Sequence, residues 1–162
     1  MNGLSDIKVR RACDEDVPAL KSILNETFVS TWLPHITPAA ATSYRAGDRP
    51  AAYVRERGQL FWVAWQGKQV LGFVDYDGNF VNALHVRPSH ARSGIGNRLM
   101  DKAEVEIRNA GFGAARLETD TFNSQSQAFY VARGYREIER YPDEEWNSGL
   151  TTLLLEKKLT EA

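Results

Sequence analysis

Two glycines, Gly94 and Gly96, connect an apolar run to an amphipathic one, an arrangement typical of sites that bind phosphate groups. A glycine carries no Cβ, so the backbone at these positions approaches a ligand closely. The helix that is predicted to follow offers unpaired N–H groups and the positive end of its dipole. The segment therefore predicts a helix N-terminus that binds a phosphate or a pyrophosphate.

Two well-known phosphate-binding motifs do not fit this segment. A Walker A loop ends in Gly-Lys-Ser/Thr, whereas Gly67-Lys68 is followed by Gln69. A dinucleotide fingerprint has a third glycine three residues after the second, and this chain has Leu99 there. These mismatches argue against a P-loop nucleotide and against a Rossmann dinucleotide as the ligand.

The composition limits the class of protein. The chain has 162 residues, of which 43% are hydrophobic and 25% charged, so we expect one globular domain over residues 1–162. A net charge of −1 gives no electrostatic support for binding nucleic acid or a membrane surface. Cys13 is the one cysteine, which excludes an internal disulfide. Because the first residues lack a signal-peptide pattern and no apolar run reaches the roughly 20 residues of a membrane span, we expect a cytoplasmic protein.

Hydrophobic periodicity divides the chain into strands and helices. Alternating runs and turn residues predict seven strands, at Ile7–Arg11, Leu60–Trp65, Val70–Tyr76, Phe80–Val86, Ala115–Asp120, Tyr135–Arg140 and Leu150–Lys157. Helical spacing predicts helices over 17–28, over Pro38–Arg57 with breaks at Gly47 and Pro50, from Ile95 to about Gly111, and over Ser124–Arg133. Residues 31–37 and the acidic run 142–146 are predicted loops. This order predicts an α/β (α+β) fold, a mixed sheet flanked by helices.

The glycine segment belongs to a longer motif, and a second motif follows about 30 residues later. The first is Leu84-His85-Val86-x-Pro88 followed by Arg92-Ser93-Gly94-Ile95-Gly96-x-x-Leu99, and the second is Asn123-x-x-x-x-x-Phe129-Tyr130-x-x-x-Gly134-Tyr135. Together with the predicted order of strands and helices, both motifs resemble those of the GNAT superfamily of N-acetyltransferases. The resemblance covers nearly the whole chain. It implies a central mixed sheet of about six to seven strands, with a cofactor cleft where the fourth and fifth strands, parallel neighbours, splay apart.

Some positions depart from the family's pattern. Ala91 stands where the family usually has Arg or Gln, and Arg92 stands where a glycine is common. Ser126 replaces an alanine, and Tyr135 replaces a phenylalanine. The backbone cradle through the two glycines is therefore the firmer expectation, and a contact between Arg92 and pyrophosphate is a hypothesis.

The resemblance implies an enzyme that transfers an acetyl group from acetyl-CoA to an amine of a small molecule or peptide by direct attack. We expect no metal, because the spacing of His85 and His90 is poor for one. It implies that the backbone of Leu84 and Val86 binds the pantetheine arm, and that the Val86 N–H polarises the thioester carbonyl. The residues implied for acetyl-CoA binding are Leu84, Val86, Arg92, Ser93, Gly94, Ile95, Gly96, Asn97, Asn123 and Tyr130. Asn123 is equally interpreted as a plain N-cap of the following helix.

Acid and base candidates follow from the same chemistry. Tyr130 matches the family's proton donor to the departing thiolate, and its alternative is an aromatic residue of the core. A protonated amine must lose a proton before it attacks, so a base is useful. The base candidates are His85, Glu118 and Asp75. Structural roles compete for each of them, and a structural histidine is the slightly favoured interpretation of His85.

Strict alternation along Phe80–Val86 places Val81, Ala83 and His85 on one face of the sheet, unless a bulge shifts the phase. His85 and His90, five residues apart across a proline, have a poor spacing for a metal.

The acceptor side is less determined. Trp32, Leu33 and His35 either line an acceptor pocket or close the core, and Asp143, Glu144 and Glu145 either attract a cationic amine or lie in a solvated loop.

The sequence leaves other functions and partners open. A CoA-binding regulatory domain with little catalysis and the transfer of another acyl group are the alternative functions. A homodimer is possible through an exposed sheet edge.

Overall fold

A seven-stranded mixed sheet forms the centre of the computed structural model, which describes residues 6–47, 49–143 and 150–159. The sheet order is β1-β2-β3-β4-β5-β7-β6. The strands are β1 Lys8–Arg11, β2 Trp62–Gln66, β3 Gln69–Asp77, β4 Phe80–Val86, β5 Ala114–Asp120, β6 Arg136–Pro142 and β7 Thr151–Lys158. The helices are α1 Val17–Thr27, α2 Pro38–Ala46, α3 Arg49–Arg57, α4 Ile95–Asn109 and α5 Ser124–Ala132. The predicted mixed sheet with flanking helices is confirmed.

Local differences from the predicted elements have simple causes. The predicted helical region 38–57 is divided into two helices, as expected, with α2 ending before Gly47. Pro50 lies in the first turn of α3, where its missing N–H has no helical partner to lose. The predicted loop after α1 is helical: Phe28–Trp32 forms a π-helical turn and Leu33–His35 a 3-10 turn. Strand β2 begins two residues late because Gly58–Leu60 forms another 3-10 turn.

Helices cover both faces of the sheet. On one face α4 buries its apolar stripe, which includes Leu99 and Ile107, against strand residues such as Leu117. On the other face α1 packs Leu20 and Leu24 against β2 and β3. The two faces are called the α4 face and the α1 face below.

Strands β4 and β5 are parallel neighbours that separate after a short contact. Their pairs, within the described residues, are Phe80 with Arg116 and Val81 with Leu117. Beyond Val81 the β4 edge facing β5 has no ladder partner in that part of the chain. This is the splayed pair that the resemblance implies, and its opening lies towards the carboxyl ends of both strands.

A β-bulge at Asn82 changes which side chains of β4 share a face. Asp75 pairs with Ala83 and Tyr76 with Val81, so Asn82 is the extra residue. Its Nδ2 donates to Asp75 Oδ2 at 3.1 Å. The grouping of Val81 with Ala83 and His85 by strict alternation therefore does not hold, and the alternative in which a bulge shifts the phase does. Val81 lies on the α4 face, where Leu84 and Val86 also pack, whereas Ala83 and His85 lie on the α1 face.

None of the described helices is long and apolar enough to cross a membrane. The predicted acidic loop falls mostly outside the described residues: Asp143 is described, and Glu144 and Glu145 are not.

Candidate active site

Helix α4 begins at the opening between β4 and β5, and no side chain in the described part of the chain caps its first turn. Gly94 is the N-cap residue, with φ 86°, a left-handed conformation that glycine adopts without strain. A Ser or Asp in this place would accept hydrogen bonds from the first N–H groups of the helix. Gly94 leaves those groups to a ligand, and the helix dipole adds a positive potential there.

Arg92 also has a left-handed backbone, with φ 62°, and is the one such residue other than glycine among those described. This explains why a glycine is common at the position, since a side chain there costs about 1 kcal/mol. The Arg92 side chain is exposed and makes no hydrogen bond or ion pair with the described residues. Next to it, Ser93 Oγ donates to the carbonyl of His90. The loop thus presents an unengaged cation beside the start of α4.

Gly96 brings three elements together. A Cβ at this position would lie 3.2 Å from the Phe129 ring of α5 and 3.9 Å from Leu84 of β4. Its neighbour Asn97 is fixed by Arg133, whose Nη1 donates to Asn97 Oδ1 at 2.9 Å. The missing side chain at Gly96 therefore lets α4, α5 and β4 approach one another at the splay.

Tyr130 lies in the core on the α4 face of the sheet and is 8% exposed. Its ring packs edge-on against Phe129 and against Tyr135, with centroids 5.1 and 5.6 Å apart. No described residue forms a hydrogen bond with the Tyr130 hydroxyl. Burial raises the pKa of this phenol well above its usual value, so the hydroxyl keeps its proton at neutral pH.

Asn123 caps helix α5. Its Oδ1 accepts from the Ser126 N–H at 3.1 Å, which agrees with the plain N-cap interpretation. The Ser126 hydroxyl in turn lies 2.9 Å from Thr119 Oγ1 of β5, so the residue that departs from the family's alanine has a partner. The Asn123 amide nitrogen makes no hydrogen bond with the described residues and is available to a ligand.

His85 projects from β4 on the α1 face. Its Nδ1 lies 2.8 Å from Thr27 Oγ1, and its ring stacks on Phe73 with centroids 5.2 Å apart. Burial lowers the pKa of His85 to about 4, so the imidazole is neutral at pH 7. One ring nitrogen is held by α1, and a neutral ring of this kind is a weak base.

The two carboxylate candidates differ in their surroundings. Asp75 is fully buried and accepts from Arg57 Nε and Nη2, Tyr53 Oη and Asn82 Nδ2 at 2.7–3.1 Å. Because four donors already bind the two carboxylate oxygens of Asp75, its surroundings fit a structural role. Glu118 is exposed on β5 and accepts a hydrogen bond from Tyr141 Oη.

Asp120, the last residue of β5, was not among the predicted candidates. It is 6% exposed, and burial raises its pKa to about 6, with the carboxylates of Asp143 and Glu118 acting in the same direction. A carboxyl group with a pKa near 6 is a common form of a functional base. The sequence offered one signal for it, an acidic residue at the end of a strand that borders the predicted cleft.

An aromatic cluster covers the α1 side of the opening. Phe122, just after β5, stacks on His35 with ring centroids 4.4 Å apart, and Trp32 meets Phe122 edge-on at 5.6 Å. Two of the three residues come from the helical turns after α1, so these turns reach across to the β5–α5 connection. The three rings are only partly buried or exposed and are available to an apolar part of a ligand.

No group of three metal-ligating side chains occurs among the residues that the structure describes.

Comparison with known proteins gives consistent matches. The sequence profile described as "Acetyltransferase (GNAT) family" matches residues 17–135. The chain is 32% identical over 104 residues to blasticidin-S acetyltransferase of Streptomyces morookaense, covering 64% of this chain and 70% of that protein. Its fold is similar to a GCN5-related N-acetyltransferase from Rhodopseudomonas palustris, with a TM-score of 0.80, 19% identity and coverage of 98% and 99%. It is also similar to PaiA N-acetyltransferase of Thermoplasma acidophilum in complex with coenzyme A, with a TM-score of 0.76, 22% identity and coverage of 94% and 98%.

Proposed function

Because the chain belongs to the acetyltransferase (GNAT) family, we propose that it binds acetyl-CoA in the opening between β4 and β5 and transfers the acetyl group directly to an amine. The observation that carries this proposal is that two sets of backbone groups without hydrogen-bond partners lie at the same opening. Among the described residues, the β4 edge has no ladder partner beyond Val81, and no side chain caps the first N–H groups of α4. An extended pantetheine arm fits the first set and a pyrophosphate fits the second.

Each binding residue has a role in this arrangement. The backbone of Leu84 and Val86 pairs with the pantetheine amides, and the N–H groups from Arg92 to Asn97 bind the pyrophosphate. The exposed guanidinium of Arg92 adds a positive charge beside the phosphates. The amide nitrogen of Asn123 donates to the pantetheine or adenosine part.

The reaction needs an electrophile that is polarised and a leaving group that is protonated. The Val86 N–H donates to the thioester oxygen, where negative charge develops as the amine attacks. The C–S bond then breaks, and the thiolate takes a proton from Tyr130 Oη. A CoA thiol has an ordinary thiol pKa near 8.5, so a donor assists its departure at neutral pH. The phenol is protonated at neutral pH, and its hydroxyl has no hydrogen-bond partner in the part of the chain that the structure describes, which supports Tyr130 in this role.

The acceptor is an amine whose uncharged part contacts Trp32, His35 and Phe122. Rings at the mouth of the opening favour an acceptor with a flat or aliphatic portion next to the reacting nitrogen. The acceptor panel in the test therefore includes 2-phenylethylamine, spermidine, free lysine and a short peptide with a free N-terminus. It also includes blasticidin S, because one relative is named for it.

Thermal unfolding and turnover together test the proposal. Acetyl-CoA at 1 mM is expected to raise the Tm through binding to the folded state. Release of the CoA thiol is then measured with each amine, and at least one amine is expected to accelerate it. A Tm unchanged by acetyl-CoA would contradict the binding site. A raised Tm with no turnover of any amine would instead support a CoA-binding regulatory domain.

A further inference from the structure

Four carboxylates are buried in the described part of the chain, and three of them are paired with a cation. The pairs are Asp16 with Arg10, Asp75 with Arg57, and Glu104 with Lys157, each with a shortest distance of 2.7 Å. The fourth is Asp120. Its one side-chain partner among the described residues is Thr152 Oγ1, at 3.5 Å from Oδ1, the limit of a hydrogen bond. A buried carboxylate without a cation is costly, so its presence calls for a reason.

The position of Asp120 supplies that reason. Thr119 contacts Ser126 of α5 on the α4 face, so alternation along β5 places Asp120 on the opposite, α1 face. His85 lies on the same face, where it meets Thr27. The two residues stand at the carboxyl ends of the two strands that separate, and Asp120 is two residues before Phe122 of the aromatic cluster. The carboxylate therefore borders the proposed acceptor side of the cleft.

The charged groups around Asp120 do not neutralise it. Glu118 on the same strand and Asp143 just after β6 are both carboxylates, and both raise its pKa in addition to burial. Thr152 on β7 is uncharged, and Glu118 is itself engaged by Tyr141. A cation that enters beside Asp120 would meet its carboxylate, and Glu118 and Asp143 add to the negative potential there.

We propose that Asp120 is a catalytic residue that binds the ammonium group of the acceptor and accepts its proton. The proposal rests on the acetyl transfer described above. One N–H proton passes from the ammonium to a carboxylate oxygen of Asp120 and later to solvent, which leaves a neutral amine. Its nitrogen lone pair forms the C–N bond to the thioester carbon. As the C–S bond breaks, Tyr130 gives its proton to sulfur and regains one from the nitrogen, so the products are amide, CoA thiol and one released proton.

His85 is less suited to this step. One of its ring nitrogens is engaged with Thr27, and its pKa of about 4 makes it the weaker base. Asp120, with a pKa of about 6, is ionised at pH 7.5 and regains its ionised state after each turnover.

The test compares the wild-type chain with Asp120→Asn, using acetyl-CoA and the best acceptor of the panel. The substitution keeps the shape of the side chain and removes a charge that burial disfavours, so the variant is expected to fold with a Tm at least equal to that of the wild type at pH 8. Its kcat is expected to fall about 100-fold at pH 7.5, the usual contribution of a general base. In the wild type, kcat/KM for the amine is expected to fall at acid pH with an apparent pKa near 6, and this decline is expected to be absent in the variant.

Controls separate this inference from the proposed function. Asp77→Asn makes the same chemical change at the last residue of β3, which pairs with the start of β4. The Asp77 side chain is 77% exposed and lies away from the opening, so this variant is expected to leave kcat and the pH profile unchanged. Asp120→Ala serves as a second substitution if the Asn variant does not fold. Both Asp120 variants are expected to keep the Tm increase caused by acetyl-CoA. A kcat within threefold of the wild type, or a persisting acid limb, would overturn the role of Asp120 alone. Loss of both binding and turnover in the wild type would overturn the proposed function with it.

Discussion

The ring of Phe129 lies 3.2 Å from the place that a Cβ on Gly96 would occupy. Gly96 is in the first turn of α4, and Phe129 is the neighbour of Tyr130 on α5. The same glycine lies within 3.9 Å of Leu84 by this measure. One absent side chain thus sets the distance between the proposed pyrophosphate site, the pantetheine edge and the proposed proton donor.

Replacing Gly96 with valine is expected to separate these elements. The branched side chain meets the Phe129 ring, and overpacking of this kind costs about 1–3 kcal/mol. The free energy of unfolding is expected to fall, and the dissociation constant for acetyl-CoA to rise at least tenfold, as measured by urea unfolding and calorimetry. Gly113→Ala is the control, because a Cβ there meets nothing within 4 Å. An unchanged affinity in Gly96→Val would contradict the placement of the cofactor against α4.

Two tyrosines in edge-on contact are expected to respond in opposite ways to loss of the hydroxyl. Tyr130 Oη has no partner among the described residues, whereas Tyr135 Oη donates to the buried carboxylate of Glu104 at 2.9 Å. Tyr130→Phe is expected to keep the Tm and the affinity for acetyl-CoA and to lower kcat about 100-fold. Tyr135→Phe is expected to lose about 1–3 kcal/mol of stability and to keep kcat per folded molecule. A kcat of Tyr130→Phe equal to that of the wild type would assign Tyr130 to packing alone.

Whether the placement of a site residue is predictable from the sequence depends on whether nearby or distant residues determine it. Gly94, Gly96 and Tyr130 occur in short local motifs, and their backbone and helix positions follow from nearby sequence. The bulge at Asn82 depends on Asp75, whose own partners come from α3, so the facing of His85 was not readable from β4 alone. Alternation assigned Val81 to the wrong face for that reason.

Asp120 illustrates the same limit for chemistry. Its sequence neighbours, Thr119 and Thr121, say nothing about whether a cation reaches it. The residues that β7 and the segment after β6 bring to Asp120 are Thr152 and Asp143, and neither is a cation. Tertiary packing decides which carboxylate is left without a cation, and local patterns do not encode that choice.

Arg92→Gly is expected to affect stability and binding in opposite directions. Glycine removes the strain of a left-handed side-chain residue, which is expected to add up to about 1 kcal/mol to the free energy of unfolding without ligand. Loss of the guanidinium is expected to weaken acetyl-CoA binding about threefold to tenfold, and less so at high salt. Calorimetry at 50 mM and 500 mM NaCl measures this, with Arg92→Lys as the variant that keeps the charge. If Arg92→Gly binds acetyl-CoA as tightly as the wild type at 50 mM NaCl, the Arg92 side chain does not contact the pyrophosphate, and the backbone N–H groups alone bind it.

Asp75→Ala is expected to be the most destabilising of these substitutions. It leaves the Arg57 guanidinium without its 2.7 Å partner and frees the Tyr53 hydroxyl, and breaking such a pair costs about 3–5 kcal/mol. The bulge also loses its contact through Asn82, so the β4 edge is expected to become mobile. Hydrogen exchange of the β4 amides measures this effect. Asn82→Ala is the milder comparison, since it removes one hydrogen bond and leaves the ion pair in place.

Phe122→Ala is expected to change acceptor binding while leaving acetyl-CoA binding intact. The ring joins His35 and Trp32 across the mouth of the cleft, and truncation removes the surface on which the uncharged part of an amine rests. The KM for the best aromatic amine is expected to rise about tenfold, because a well-packed aromatic contact contributes about 1–1.5 kcal/mol. Phe112→Ala is the matched control, since Phe112 is 39% exposed and precedes β5 at its other end. Steady-state kinetics with 2-phenylethylamine and with spermidine distinguish the cause. A larger loss for the aromatic amine supports ring contact, whereas equal losses would mean that Phe122 only holds the helical turns after α1 in place.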